Sequence, residues 1–202
     1  MLSPSDRERQ EQERRQDGRL PPGQSLTLKW PVLHEGPIPK FDPATWTLDV
    51  GGLVSQPLRL SWDELQAMPR KRITADFHCV TTWSKFDNEW EGVPFTAIAE
   101  RAGVLPEAKY VIIRAENGYT TNAPIEDLLR SDVLLADRHA PEPLTPEHGG
   151  PLRLVVPHLY AWKSAKWLRG FELTAEDRPG YWEQVGYHMY GDPFREQRYR
   201  RQ

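Results

Sequence analysis

The stretch Phe77-His78-Cys79-Val80-Thr81-Thr82-Trp83-Ser84 holds the only cysteine of the chain, set among polar and aromatic neighbours. The residues before it, Arg72 to Phe77, read as a strand that delivers His78 and Cys79 at its end. A single cysteine forms neither an internal disulfide nor a multi-thiolate zinc site. Its sulfur is therefore packing, a nucleophile, or one ligand of a metal whose other donors come from elsewhere. A free thiol is often simply buried, but strand ends followed by loops are where sites are built on a rigid scaffold. In an extended strand the His78 side chain points to the face opposite Cys79, which suits structural support as well as contact with a ligand.

Working outward, Trp46, Leu48 and Val50 alternate with Thr47 and Asp49 and end at Gly51-Gly52, a half-buried strand and turn. Ser61-Trp62-Asp63-Glu64 is a capping box opening a short helix that stops before Pro69. Pro94 to Ala102 has Phe95, Ile98, Ala99 and Ala102 at helical spacing, with Gly103 as the stop. Tyr110 to Arg114 is a β-branched strand followed by an Asn117-Gly118 turn, and Pro124 opens a short helix through Leu129. Val133 to Ala136, Leu152 to Val156 and Leu168 to Leu173 are further strands, separated by a Pro- and Gly-rich loop at 137–151 and a basic aromatic segment at 158–167. Many strands, few short helices and 19 prolines predict an α+β, β-rich domain with long loops.

Residues 1–25 are rich in Arg, Glu, Gln and Asp and poor in aliphatic side chains, which predicts a disordered or loosely helical charged tail. One domain is expected over 26–202. It begins with a stiff extended segment, Trp30 to Pro39, whose three prolines exclude a regular helix and hold His34 and Glu35 on a rigid backbone. With 26 basic and 29 acidic residues, net charge −3 and pI near 6.1, the chain presents no field for nucleic acid or an anionic membrane. No apolar run reaches the roughly 18 residues of a membrane span, and Arg14-Arg15 is not followed by the apolar stretch of an export signal, so a cytoplasmic location is expected.

A cysteine hydrolase needs a histidine base near the thiol. His34, His78, His139, His148, His158 and His188 are all available, and no spacing favours one of them. A zinc enzyme has less support, with no His-x-x-x-His or Cys-x-x-Cys arrangement. A second constellation runs from His148-Gly149-Gly150-Pro151 through Leu152-Arg153-Leu154 to Lys163-Ser164-Ala165-Lys166. With Leu152 and Leu154 on the core side of a strand, Arg153 projects from the other face, free to meet a ligand. Lys163 and Lys166, with Ser164 and local N–H groups, form a candidate phosphate cradle, and a solvated basic turn is the plain alternative. Trp83, Trp90 and Trp162 are candidate channel walls or core residues. Asp76 and Asp87 read as local caps, and the arginines at 195, 198, 200 and 201 as a solvated basic tail.

Three separated blocks, Phe77 to Ser84, Gly150-Pro151-Leu152-Arg153-Leu154-Val155-Val156-Pro157 and Lys163 to Leu168, together with Pro37-Ile38-Pro39 and Gly180-Tyr181-Trp182-Glu183, resemble the molybdopterin-binding domain of the sulfite oxidase superfamily. The resemblance covers about Leu26 to Leu173 and is similar to that seen in bacterial sulfite-oxidase-like proteins and the catalytic subunit of methionine sulfoxide reductase. It implies a sulfite oxidase-type fold and an oxidoreductase carrying one molybdenum on one molybdopterin, with Cys79 as catalytic residue and protein ligand of the metal. A soft thiolate suits a cofactor that carries hard redox chemistry. By position, the resemblance further implies that His34, Glu35, His148, Arg153, Ser164, Ala165 and Lys166 bind the cofactor. His148 stands where the methionine sulfoxide reductase has an asparagine.

Sulfite oxidases follow the cysteine with an arginine-bearing run, whereas Val80-Thr81-Thr82-Trp83-Ser84 occupies that position here. The resemblance therefore implies oxygen-atom transfer with a small substrate, an S-oxide, an N-oxide or a sulfite-like molecule, and electrons exchanged with a separate carrier protein. A non-catalytic cofactor-binding or carrier protein, and the metal-free cysteine hydrolase, are the alternatives.

Overall fold

A computed structural model describes residues 4–200. In chain order the elements are α1 (Pro4–Gln16), β1 (Ser25–Leu26), β2 (Thr47–Gly52), β3 (Leu58–Ser61), α2 (Trp62–Gln66), β4 (Lys71–His78), β5 (Trp83–Pro94) and α3 (Phe95–Ala102). They continue with β6 (Tyr110–Ala115), β7 (Thr120–Pro124), α4 (Ile125–Leu128), β8 (Leu134–His139), β9 (Glu142–Pro143), β10 (Arg153–Val155), β11 (Leu168–Thr174) and α5 (Tyr181–Gln184). The fold is α+β, with short helices around two mixed sheets. One sheet runs β3-β2-β11-β6-β7; the other runs β1-β5-β8-β10, with β4 also on β5 and β9 also on β8. Among the described residues no helix is long and apolar enough to cross a membrane.

Local signals produced local structure. Ser61 Oγ accepts from the Glu64 N–H, and the Glu64 carboxylate accepts from the Ser61 N–H at 2.9 Å, completing the capping box of α2. Gly103 ends α3 in the left-handed conformation, φ 64°, where a Cβ would be penalised. Phe95, Ile98, Ala99 and Ala102 all face the main core, which lies against the β3-β2-β11-β6-β7 sheet and takes Val93, Leu135 and Leu154 from the other sheet.

The longest strand, β5, is absent from the sequence reading. Its 12 residues pair with β4 on one side and with β1 and β8 on the other. Register shifts at Ala75/Phe77 and Glu91/Gly92, and Asp87 at φ 53°, break the two-residue period that marks a strand. The β4–β5 hairpin places Cys79 at its tip. β8 likewise runs on through 137–139, and β9 forms in what reads as loop.

The expected tail is structured over its described residues, 4–25. Arg- and Glu-rich sequence has good helical propensity, and pairs such as Arg7–Glu11 (3.1 Å) support α1 along its length. The segment after α1 is fastened to the hairpin. Arg19 forms a fork with Asp76 (2.9 and 2.6 Å) and reaches Asp87 (2.6 Å), which Arg14 also meets (3.0 Å). Asp76 thus holds Arg19 and also accepts from the Asp87 N–H at 3.1 Å, as a local cap would, whereas the Asp87 carboxylate holds arginines. Leu20 and Gln24 are buried. The C-terminal arginines among the described residues are not uniformly solvated either: Arg198 is buried, and Arg200 donates to the Glu183 carbonyl, while Arg201 lies outside the described residues.

Candidate active site

β4 ends at His78, and a tight turn then carries Cys79, Val80, Thr81 and Thr82 before β5 begins. The Cys79 N–H donates to Trp83 O at 2.9 Å and the Thr82 N–H to Cys79 O at 3.1 Å, with Thr82 left-handed at φ 72°. Cys79 Sγ lies 3.1 Å from Thr81 Oγ1. No histidine hydrogen-bonds the thiol among the described residues. His78 turns away as its strand position predicts, is buried, and pairs with Ser84 Oγ at 2.8 Å.

Cys79 opens on a cavity of about 320 Å³, within the roughly 300–1,000 Å³ of ligand and cofactor sites. His34, Glu35, Arg153, Ser164, Ala165 and Lys166 line the same cavity. The sequence therefore brings together seven of its eight candidate residues across more than 130 positions. His148 is not on the lining. It stacks on Trp30, ring centroids 3.9 Å apart, donates from Nε2 to Trp30 O (3.3 Å) and pairs through Nδ1 with Thr145 Oγ1 (2.9 Å). Its carbonyl accepts from Arg153 Nη1 at 2.8 Å, so it backs the wall.

Arg153 alternates with Leu152 and Leu154 as expected, but its face of β10 is not open. Phe77, Trp90 and Trp30 cover it, with the guanidinium 5.0, 5.5 and 5.9 Å from their ring centroids, leaving Arg153 2% exposed. It also donates from Nη2 to Ser164 O at 2.9 Å and from Nε to Leu154 O at 3.5 Å. Burial lowers its pKa to about 9, which leaves it charged at neutral pH. Gly149 lets this packing form: at φ 106°, a Cβ there would press on Lys166 Cβ and Cγ (3.0 Å) and on Arg153 Cβ (3.1 Å).

The two lysines separate. Lys166 donates to Leu33 O (2.8 Å) and Glu147 O (2.6 Å). Burial, and then the Arg153 charge, bring its pKa down to about 7, with Cys79 acting in the opposite sense. An anionic group in the cavity would hold it protonated. Lys163 is absent from the lining: fully buried, it pairs at 2.7 Å with Glu183, which also accepts from Trp162 Nε1. Burial pushes the Cys79 thiol up, opposed by its Thr81 hydrogen bonds and then by the Lys166 and Arg198 charges.

Trp83 and Trp162 wall the cavity, whereas Trp90 is core. Sequence reasoning missed Trp30, Tyr119, Trp182 and Tyr187, which also line it. Tyr119 donates to Trp162 O at 2.6 Å, and Trp182 stacks on Tyr187 with centroids 5.0 Å apart. The Gly180–Glu183 block was the one available signal for Trp182.

The described residues hold no cluster of three or more His, Cys, Asp or Glu suited to a metal. A lone thiol beside a buried and a half-buried cation, Arg153 and Lys166, instead fits a metal that brings its own donors on an anionic organic cofactor. Residues 35–182 match the model of the oxidoreductase molybdopterin binding domain family. The chain belongs to this family. This molybdopterin oxidoreductase is 55% identical over 185 residues to the uncharacterized oxidoreductase YuiH of Bacillus subtilis, covering 91% of this chain and 93% of that one. It is 31% identical over 152 residues to a putative protein-methionine-sulfoxide reductase subunit, YedZ1, of Azospira oryzae, covering 75% of this chain and 58% of the relative. The sulfane dehydrogenase SoxCD of Paracoccus pantotrophus has the same sulfite oxidase-type fold, with TM-score 0.65 and 26% identity over 71% of this chain and 41% of that chain.

The rings behind Arg153 carry a pH signature. His139 packs against Trp30 (4.7 Å) and Trp90 (5.0 Å) and donates to Asn88 Oδ1 at 3.2 Å. Burial first, then the nearby Lys85 and Arg153 charges, lowers its pKa from 6.5 to about 4. The unfolded chain then binds this proton more readily than the folded one, so His139 contributes full stability above pH 6.5 and loses it as pH falls towards about 4. Urea unfolding across that window is expected to show a flatter acid limb for His139→Gln than for wild type; parallel limbs would remove His139 as the source.

Proposed function

We propose that the cavity holds one molybdenum on a single molybdopterin, with Cys79 as the protein ligand, and that the enzyme transfers an oxygen atom to or from a small substrate, an S-oxide, an N-oxide or a sulfite-like molecule. The observation that carries this reading is the convergence of the chain's one thiol with Arg153 and Lys166 on a single cavity. When bound, the cofactor supplies a two-electron redox centre for oxygen-atom exchange.

The chain's residues hold and surround it. Lys166, with Ser164 and Ala165, would hold the phosphate end, and the stiff segment bearing His34 and Glu35 would hold the pterin. Arg153 adds fixed positive charge, already aimed by the His148 and Ser164 carbonyls, so no reorganisation is needed on binding. Thr81 Oγ1 orients and hydrogen-bonds the Cys79 sulfur. Trp83, Trp162, Trp182 and Tyr187 exclude water and shape the approach of substrate. Electrons pass to or from a separate carrier protein.

Metal and pterin analysis of protein made in a cofactor-synthesising host is expected to give about one molybdenum and one pterin per chain, with reduction or oxidation of a substrate panel in dye-coupled assays. Protein free of molybdenum would overturn the reading. Bound molybdenum with no turnover on any substrate would leave a carrier instead.

A further inference from the structure

The turn bearing Cys79 satisfies only part of its own carbonyl capacity. Thr81 O accepts locally, from Thr82 Oγ1 at 2.7 Å, and Cys79 O accepts from the Thr82 N–H. The remaining donors arrive from segments remote in sequence. Gln24 Nε2 donates to Cys79 O at 2.9 Å, Arg198 Nη1 to Val80 O at 2.7 Å, and the Ser25 N–H to Thr82 O at 2.9 Å. Gln24 is 1% and Arg198 8% exposed. A buried amide N–H and a buried guanidinium committed to main-chain carbonyls are specific features, since burying such a donor without an acceptor is costly.

Both donors are themselves held. Arg15 donates to Gln24 O at 2.7 Å, and Arg19 ties the same segment to Asp76, three residues before Cys79. Arg198 also reaches Pro22 O at 3.4 Å and lies 5.1 Å from the Tyr160 ring centroid, so it bridges the turn and the Gln24 segment. Neither residue lines the cavity, and both lie outside residues 35–182 that match the family model. Thr82 at φ 72° is a conformation that persists only where surrounding contacts over-determine it.

We infer that Gln24 and Arg198 are positioning residues that clamp the Cys79 turn from outside the family's matched region and so set the direction in which the thiolate faces the cofactor. This rests on Cys79 being the metal ligand. Holding a ligand's backbone from behind is the outer-shell role that orients a donor atom without touching the metal.

The test uses the full chain loaded in a cofactor-synthesising host, as wild type, Gln24→Leu, Arg198→Gln and Arg198→Lys. The readouts are the paramagnetic resonance spectrum of the half-reduced metal and molybdenum retained after dialysis. Altered, broadened spectra and about tenfold faster metal loss are expected for Gln24→Leu and Arg198→Gln, with partial recovery in Arg198→Lys, which keeps charge and donor. Wild-type spectra and retention in variants that melt with the wild type would overturn the clamp. Should a variant not fold, hydrogen exchange on the wild type decides: the Cys79 and Thr82 amides are expected to open together with residues 20–25. Protection of that pair while 20–25 exchange freely would sink the inference. Wild type without molybdenum instead defeats the reading of Cys79 as ligand, so the two failures are distinguishable.

Discussion

Replacing Cys79 by serine is expected to strip most molybdenum from the protein and to lower turnover by more than about 100-fold, while the fold survives. Loss of a residue that merely orients a ligand lowers metal affinity or activity by about 10–100-fold, and loss of the soft donor itself removes more. Serine is nearly isosteric and can still hydrogen-bond Thr81 Oγ1, which lies 3.1 Å from the sulfur. The turn's backbone bonds to Trp83, Gln24 and Arg198 are untouched by the exchange. The effect is thereby confined to the donor atom, hard oxygen in place of soft sulfur. Elemental analysis and steady-state rates on the same preparation, with a thermal melt as control, check it. Wild-type molybdenum content and rate in Cys79→Ser would show that the thiolate is not the ligand.

Lys163→Met is expected to destabilise the protein by about 3–5 kcal/mol, a large share of the roughly 5–15 kcal/mol that holds a typical domain. Lys163 and Glu183 are both fully buried, 2.7 Å apart. The ammonium also faces Asn122 O, Asn122 Oδ1 and Met189 O at 2.9, 2.7 and 2.6 Å. Glu183 Oε1 accepts in addition from Thr121 Oγ1 and Trp162 Nε1, and Oε2 has no partner among the described residues. Burial lowers the Lys163 pKa and the Glu183 charge works against that. Removing the lysine strands a buried carboxylate already short of one partner. The double replacement Lys163→Met/Glu183→Leu is expected to recover part of the loss, because the expense lies in the unpaired charge rather than in absence of the pair. Urea melts of both singles and the double form the cycle; a loss under about 1 kcal/mol in Lys163→Met would contradict the buried pair. Since Trp162 lines the cavity and hangs from Glu183, this network also anchors the aromatic wall.

Much of the fold was legible because its signals are short-range. The Ser61/Glu64 box, Gly103, Asn117-Gly118 and the alternation at Trp46–Val50 each report on neighbours within about four residues, and each element formed where its residues predicted. β5 was not legible, because its shifts of register destroy the period on which strand reading depends. Most of the candidate residues that line the cavity were singled out because the three blocks carry a family likeness. Trp30, Tyr119 and Tyr187 carry no local mark that separates a cavity wall from a core.

The sequence by itself determined the local elements, the lone thiol at a strand end and the family. Only the tertiary structure decided what each charged residue does. Arg153 obeys its strand's alternation, yet Phe77, Trp90 and Trp30 cover the face it occupies. Lys163 and Lys166 stand three apart, but one closes on Glu183 and the other on the cavity. Arg19, in what reads as a disordered or loosely helical charged tail, and Arg198, in what reads as a solvated basic one, are tied to the strand and the turn around Cys79. The physical reason is common to all: a charge takes its role from the partners that pairing brings within about 3 Å, and here those partners lie from 5 to 133 residues away.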